Sequence, residues 1–312
     1  MKKVVLCFCL CLFFACKNNS PEETKEVNFF GCASKPTLDV MVGSEGSILR
    51  SVPTSLTWEK VEIEEKNTLL DVIYAALPAS VEPPQNAKFY AVGHNGTVLI
   101  SEDGLSWKNK NAPSEAHLFA VASHAGRIVI VGHRKIIYMS DNEGETWNNK
   151  KNAVANKKTS LYDVAFGDGK WLSVGDYGAV IIMDDATGKV EENIVQPGIS
   201  KALKGIAYHN TLKRWVAVGH EGIIFVSDDA GKKWEEMLSE TREDLLKIGF
   251  NGKRFVAVGT HGIILASKDG KLWKKVQVNN NGTFRGASFT GERWLFTTIE
   301  GKKEMIEDAK ME

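Results

Sequence analysis

Downstream of residue 28, short apolar runs alternate with clusters of Gly, Asn, Asp and Ser, and no window sustains an apolar stripe at helical spacing. Runs such as LYDVAF (161–166), KWLSVG (170–175) and GIIFVS (222–227) are rich in β-branched and aromatic residues. They stop at glycine, asparagine or aspartate, which is strand-and-turn chemistry. The pattern predicts many short strands and no helices.

The strands repeat. Aligned on Val-Gly, the chain reads VGSEGSILRS, VGHNGTVLIS, VGHRKIIYMS, VGDYGAVIIM, VGHEGIIFVS and VGTHGIILAS, with glycines at 43, 93, 132, 175, 219 and 259. A seventh, eroded copy begins at Phe284, where FRGASFTGERWLFTTIEG aligns without a gap on FFGCASKPTLDVMVGSEG from Phe29; Thr298 takes the place of the glycine. Each unit divides into four strands, A to D, as in LKGIAY, RWVAVG, GIIFVS and WEEML of the fifth copy. A four-stranded unit of about 40 residues, repeated seven times, predicts an all-β, seven-bladed β-propeller of antiparallel blades. Radial closure hides most sheet edges, so such a fold needs no helices. The blades are expected at about 28–63, 64–114, 115–156, 157–198, 199–240, 241–279 and 280–312. ALPASVEPPQNAK (76–88), rich in proline and small residues, reads as a surface loop inserted in the second. The seventh runs out after strand C, and residues near Glu22 to Val27 are expected to supply its outer strand.

Between strands C and D lie SEDGLSW (Ser101, Asp103, Gly104, Trp107), SDNEGETW (Ser140, Asn142, Gly144, Trp147), SDDAGKKW (Ser227, Asp229, Gly231, Trp234) and SKDGKLW (Ser267, Asp269, Gly270, Trp273). SVPTSLTW (51–58) and MDDATGKV (183–190) are degenerate copies. The Asp or Asn side chain can bond nearby amides and hold a tight turn. Glycine takes a conformation that other residues resist, and tryptophan packs between sheets while its N–H finds a partner. The aspartates could be read as catalytic acids, but an acid repeated in blade after blade at a hairpin is expected to brace the fold. Phe89, Trp171, Trp215, Phe255 and Trp294 recur at one position of strand B and read as core.

In a four-stranded meander the A–B and C–D turns share one face, and the B–C turns and D–A connections share the other. The first carries these hairpins, with Arg127, Arg214, Arg254 and Arg293 near the A–B turns. The second carries the candidate binding residues His94, His133, Arg134, Asp176, Tyr177, His220, Glu221 and His261 in the turns, and Arg242 and Arg285 in the connections. The four histidines occupy equivalent turns, but a ring of turns is wide and metal ligands must come within about 2.0–2.3 Å of one ion. They are expected to serve the turn, and neither metal nor cofactor is expected. Lys157, Lys158, Lys201, Lys204, Arg242, Lys247 and Arg285 give this face a mild positive character, read as a solvated rim.

The amino terminus adds a location. Lys2 and Lys3 precede an apolar run, Val4 to Ala15, of twelve residues. A bilayer takes about 20, so the run has the layout of a secretory signal. Ending in FFAC, it resembles a bacterial lipoprotein signal in which Cys16 carries the lipid, although Phe13 stands where such signals usually have leucine. The alternative is an ordinary signal cut nearby. Residues 1–15 then form the signal and 16–27 the lipidated cysteine and a polar tether, in the cell envelope. Cys7, Cys9 and Cys11 leave with the signal, so Cys32 stands alone in the body and reads as a small buried residue. Removing residues 1–15 takes two lysines from 39 basic residues and leaves 37 against 39 acidic, a net of −2. That balance argues against a nucleic-acid partner.

The hairpin motif S-x-[DN]-x-G-x-x-W resembles the Asp-box, or BNR, repeat, which two families share. Sialidases carry it on six blades and need an arginine triad, a Tyr/Glu nucleophile pair and an acid aspartate; their early Phe-Arg-Ile-Pro motif is absent here. The closer resemblance, over about residues 29 to 300, is to the seven-bladed photosystem II assembly and stability factor family, whose repeat reads roughly V-G-x-x-G-x-I-x-x-S-x-D-x-G-x-x-W. That resemblance implies a non-catalytic propeller, lipid-anchored in some bacterial members, that binds membrane-protein subunits partly through an arginine patch. No dense patch matches it in this chain. The expected function is a protein-binding scaffold with an envelope or membrane protein as partner; a glycoside hydrolase or a glycan-binding propeller are the alternatives.

Overall fold

A computed structural model describes residues 27–52, 57–75, 87–110, 112–150 and 159–311. The signal, Cys16, the tether up to Glu26, most of the 76–88 insertion, Lys157 and Lys158 lie outside the described residues. Seven sheets form, each a meander in sequence order. The fifth shows the pattern, with strand A at Leu203–His209, B at Arg214–Gly219, C at Ile224–Ser227 and D at Glu235–Met237. Six sheets have four strands. The seventh has three among the described residues: Phe284–Phe289, Arg293–Thr298 and Lys303–Glu307.

The A strands stand innermost. Each packs against those of both neighbours, and strand Phe29–Lys35 of blade 1 meets Phe284–Phe289 of blade 7, which closes the ring. The expected outer strand of blade 7 falls mostly on undescribed residues. Val27, which is described, packs with Met305 of that blade against Phe29, Cys32, Met41 and Leu295. Among the described residues no helix is long and apolar enough to cross a membrane.

The core lies between blades. Leu172, Val174 and Ile182 of blade 4 pack on Ile206, Trp215 and Phe225 of blade 5, and each neighbouring pair repeats the arrangement. Phe89, Trp171, Trp215, Phe255 and Trp294 are all at most 1% exposed. Cys32 is buried, and its thiol donates to the Leu295 carbonyl at 3.4 Å.

Polar clamps span the Asp-box face. Arg127 of blade 3 donates to Asp185 of blade 4, Arg214 of blade 5 to the Asp269 carbonyl of blade 6, and Arg293 of blade 7 to Asp39 of blade 1. Arg254 of blade 6 lies 3.3 Å from Asp308 of blade 7. The four arginines near the A–B turns therefore hold adjacent blades together.

The Asp-boxes brace their own hairpins. Ser227 Oγ accepts the Gly231 N–H at 3.0 Å, Asp229 Oδ1 accepts the N–H groups of Lys232 and Lys233, and Trp234 donates to the Gly231 carbonyl at 2.9 Å. Ser101/Asp103/Gly104/Trp107 and Ser267/Asp269/Gly270/Trp273 repeat these bonds. In the Ser140 hairpin the Gly144 N–H reaches Ser140 Oγ and the Thr146 N–H reaches Asn142 Oδ1, but the Glu145 N–H goes to the Asn142 carbonyl, and Trp147 Nε1 has no partner among the described residues. The tryptophan of the other three thus bonds within its own turn. Gly231 has φ +83°, and a Cβ there would lie 2.6 Å from Leu172 of the preceding blade.

Candidate functional site

One irregularity recurs in all seven blades. Pairing of strands A and B slips at the second residue of strand A, as between Leu203 and Gly205 or Phe284 and Gly286. Such a bulge re-aims one side chain. The first residue, apolar in every blade, stays between the sheets: Phe29, Leu69, Leu118, Leu161, Leu203, Leu245 and Phe284 are at most 4% exposed. The second turns into the axial channel. Phe30, Leu70, Phe119, Tyr162, Lys204, Leu246 and Arg285 form a ring, and with His94 they line a cavity of about 280 Å³ on the face of the B–C turns.

The third residues close its floor. Here the blades supply glycine or alanine except for Asp71, Asp163 and Lys247. Lys247 Nζ lies 3.0 Å from Asp163 Oδ1 and 3.5 Å from Asp71 Oδ2. The carboxylates also accept N–H bonds from the next blade, Asp71 from Val121 and Asp163 from Ile206. Burial raises the pKa of Asp71, and Lys247 opposes it. The two carboxylates hold Lys247 charged against its own desolvation. Lys247 is therefore part of a largely buried ion cluster on the axis, not of a solvated rim.

Above this floor the mouth is aromatic and cationic. Phe119 stacks on Tyr162 at 5.5 Å between ring centres. Lys204 Nζ sits 3.2 Å from the Tyr162 ring centre, and the Arg285 guanidinium 5.9 Å from that of Phe30. Burial pulls the pKa of Lys204 down to about 8, and Arg285 acts in the same direction. Tyr162 donates to Asp176 Oδ1 at 2.9 Å. Burial first, and that bond next, push its hydroxyl up to about 12, so it stays protonated at neutral pH.

The B–C turns explain the other candidates. In V-G-x-x-G the second variable residue is left-handed, with φ between 50° and 57°: Glu45, Asn95, Arg134, Tyr177, Glu221 and His261. Arg134, Tyr177, Glu221 and His261 accordingly stand exposed at the tips. Glu221 pairs with Lys201 at 3.0 Å, and His261 with Glu243 at 2.6 Å. The first variable residue faces inward. Ser44, Asp176 and Thr260 each accept the N–H of the residue preceding strand A. His133 bonds the Ser160 hydroxyl at 3.2 Å, and His94 packs on His117 at 4.5 Å. Burial lowers the pKa of both His94 and His220. Among the described residues no group of three His, Cys, Asp or Glu side chains could hold a metal ion.

Of the ten candidates, the channel mouth gathers His94 and Arg285, with Asp176 behind Tyr162. Arg134, Arg242, Tyr177, Glu221 and His261 lie outside its lining, as do His133 and His220. Sequence reasoning missed Phe30, Leu70, Phe119, Tyr162 and Leu246 and treated Lys204 as rim. The readable signal was the second column of strand A, which runs F, L, F, Y, K, L, R through the seven blades.

Residues 41–161 match the family model described as "DUF6242 beta propeller domain". Residues 184–292 match "Photosynthesis system II assembly factor YCF48". No curated protein matches the chain in sequence. Two solved structures are similar. A YCF48 bound to a D1 peptide is 14% identical with a TM-score of 0.68, covering 91% of this chain and 94% of that one. YCF48 from Cyanidioschyzon merolae is 15% identical with a TM-score of 0.70, covering 92% and 97%. The chain is a seven-bladed propeller of the BNR type, similar in its later blades to the YCF48 assembly factor.

Proposed function

We propose that the protein is a non-catalytic binding propeller, held in the cell envelope by a lipid on Cys16, whose channel mouth takes a peptide segment of a protein partner. The bulge ring carries this reading. Seven blades each turn one side chain into the mouth, and four of the seven are apolar: Phe30, Leu70, Phe119 and Leu246. Binding sites are usually concave, with apolar walls and convergent polar groups, and here the four apolar side chains share the mouth with Tyr162, Lys204, Arg285 and His94. A YCF48 of similar fold is bound to a D1 peptide, which supports a peptide as the ligand.

The hydrolase alternative has one observation in its favour, the Tyr162–Asp176 pair beside Arg285. The mouth nevertheless brings one arginine rather than three. Its floor carboxylate, Asp71, is engaged by Lys247 and a backbone amide. A sialidase needs a Tyr/Glu nucleophile pair and an acid aspartate, whereas no glutamate lines this mouth among the described residues and the Tyr162 hydroxyl donates to Asp176. The test is capture of partners from solubilised membranes by the intact protein. One stoichiometric protein, lost with Phe119→Ala, is expected. Capture that is indifferent to this substitution, together with cleavage of a fluorogenic sialoside, would reverse the reading.

A further inference from the structure

Among the described residues, Lys204 and Arg285 are the two cations of the mouth that no carboxylate pairs. Each rests on an aromatic face, Lys204 on Tyr162 and Arg285 on Phe30. Half-burial of Lys204 has removed part of its hydration and Arg285 repels it, while Asp176 and Asp244 attract it from nearby without pairing and leave its pKa below the usual lysine value. Cation–π contact offsets some of that cost. A negative group placed between the two would offset more, through charge-assisted hydrogen bonds to both. The cavity that both face is about 280 Å³, room for a few side chains rather than a folded domain.

We propose that the mouth is a carboxylate site, in which Lys204 Nζ and the Arg285 guanidinium take the oxygens and Phe30, Phe119 and Tyr162 cover an apolar group beside them. This rests on the peptide-binding reading above and names what the peptide must present. An acidic sugar fits less well. Its hydroxyls need hydrogen-bond partners, whereas this part of the lining is aromatic and the Tyr162 hydroxyl is already given to Asp176. The carboxylate comes from a chain terminus or from an Asp or Glu side chain next to an apolar residue.

The site has a pH signature. Lys204 must be charged to bind, so affinity falls as pH rises through about 8. Stability of the free protein moves the other way. A lysine whose folded pKa lies below its unfolded value weakens the fold while charged, so stability rises between about pH 8 and 10.5. Lys204→Met removes both trends.

The test is calorimetric titration of the purified full-length protein with acetyl-Gly-Ala-Ala-Phe as free acid, the same peptide as C-terminal amide, acetyl-Ala-Glu-Phe-Ala amide, and N-acetylneuraminic acid. At pH 7 a carboxylate peptide is expected to bind about 10-fold or more above the amide, the size of one charge-assisted bond. Preference for the free acid or for the glutamyl peptide identifies the source of the carboxylate. Lys204→Met is expected to remove that margin, and Lys204→Arg to retain binding at pH 9.5, where the wild type has lost it. Equal binding of acid and amide overturns the carboxylate assignment and leaves the peptide reading standing. Binding of N-acetylneuraminic acid alone, or of no probe at millimolar concentration, overturns both.

Discussion

Lys247→Met is expected to cost about 3–5 kcal/mol of stability, the loss seen when one partner of a buried ion pair is removed. Lys247 of blade 6 reaches across the axis to Asp71 of blade 2 and Asp163 of blade 4. Each aspartate in turn accepts an N–H from the following blade. The substitution leaves two buried carboxylates, 6% and 3% exposed, facing each other with no cation. The pH dependence follows from Asp71. Its pKa is raised by burial, so ionisation weakens the fold, and the penalty eases as pH falls through the folded value. Urea unfolding of the variant should therefore show its largest deficit at pH 7 and a smaller one at pH 5. Adding Asp71→Asn should recover part of the loss. A deficit below about 1 kcal/mol, in the range of an exposed pair, would mean that water already reaches the cluster.

Trp294→Ala is expected to cost about 3–5 kcal/mol, the range for emptying a buried aromatic site. The ring is 1% exposed among Val256, Val258, Phe284 and Phe296. Its Nε1–H donates at 3.0 Å to Asp308 Oδ1, which also accepts from Asn251 of blade 6 at 2.8 Å. Trp294 thus joins the packing of the last blade to its clamp on the one before. Trp294→Phe keeps most of the packing and removes one buried hydrogen bond to the Asp308 carboxyl group, for about 1–3 kcal/mol. Trp215→Phe serves as the contrast: Trp215 Nε1 has no partner among the described residues, so no bond is lost. Equal losses in the two phenylalanine variants would show that the Asp308 bond contributes nothing.

The fold was legible because the chain states it seven times. Strand periodicity, the V-G-x-x-G turn and the Asp-box hairpin each recur in register, so erosion in one copy is corrected by the others. Assigning the turns to faces was legible for the same reason. The mouth was not. Phe30, Phe119 and Leu246 sit in apolar runs that alternate like any strand of a packed sheet, and a register slip of one residue decides whether they face a neighbouring blade or the channel. Nothing in a single run announces that slip; it emerges only when the seven A strands are stacked as columns. Lys204, Lys247 and Arg285 were visible as basic residues, but one column separates an ion cluster on the axis from two unpaired cations above it. The histidines attracted notice as metal-like chemistry. His94, His133 and His220 all hold the inward first place of the turn, but of these only His94 lines the mouth, His133 being tied to the Ser160 hydroxyl, and His261 occupies the left-handed tip.

In the proposed function the mouth, not the Asp-box face, meets the partner. A photo-crosslinking residue, p-benzoylphenylalanine, placed at Phe119 in the mouth and separately at Lys233 in an Asp-box, tests this in intact cells. A single protein adduct from position 119, and none from position 233, is the predicted result. An adduct from 233 with none from 119 would contradict it.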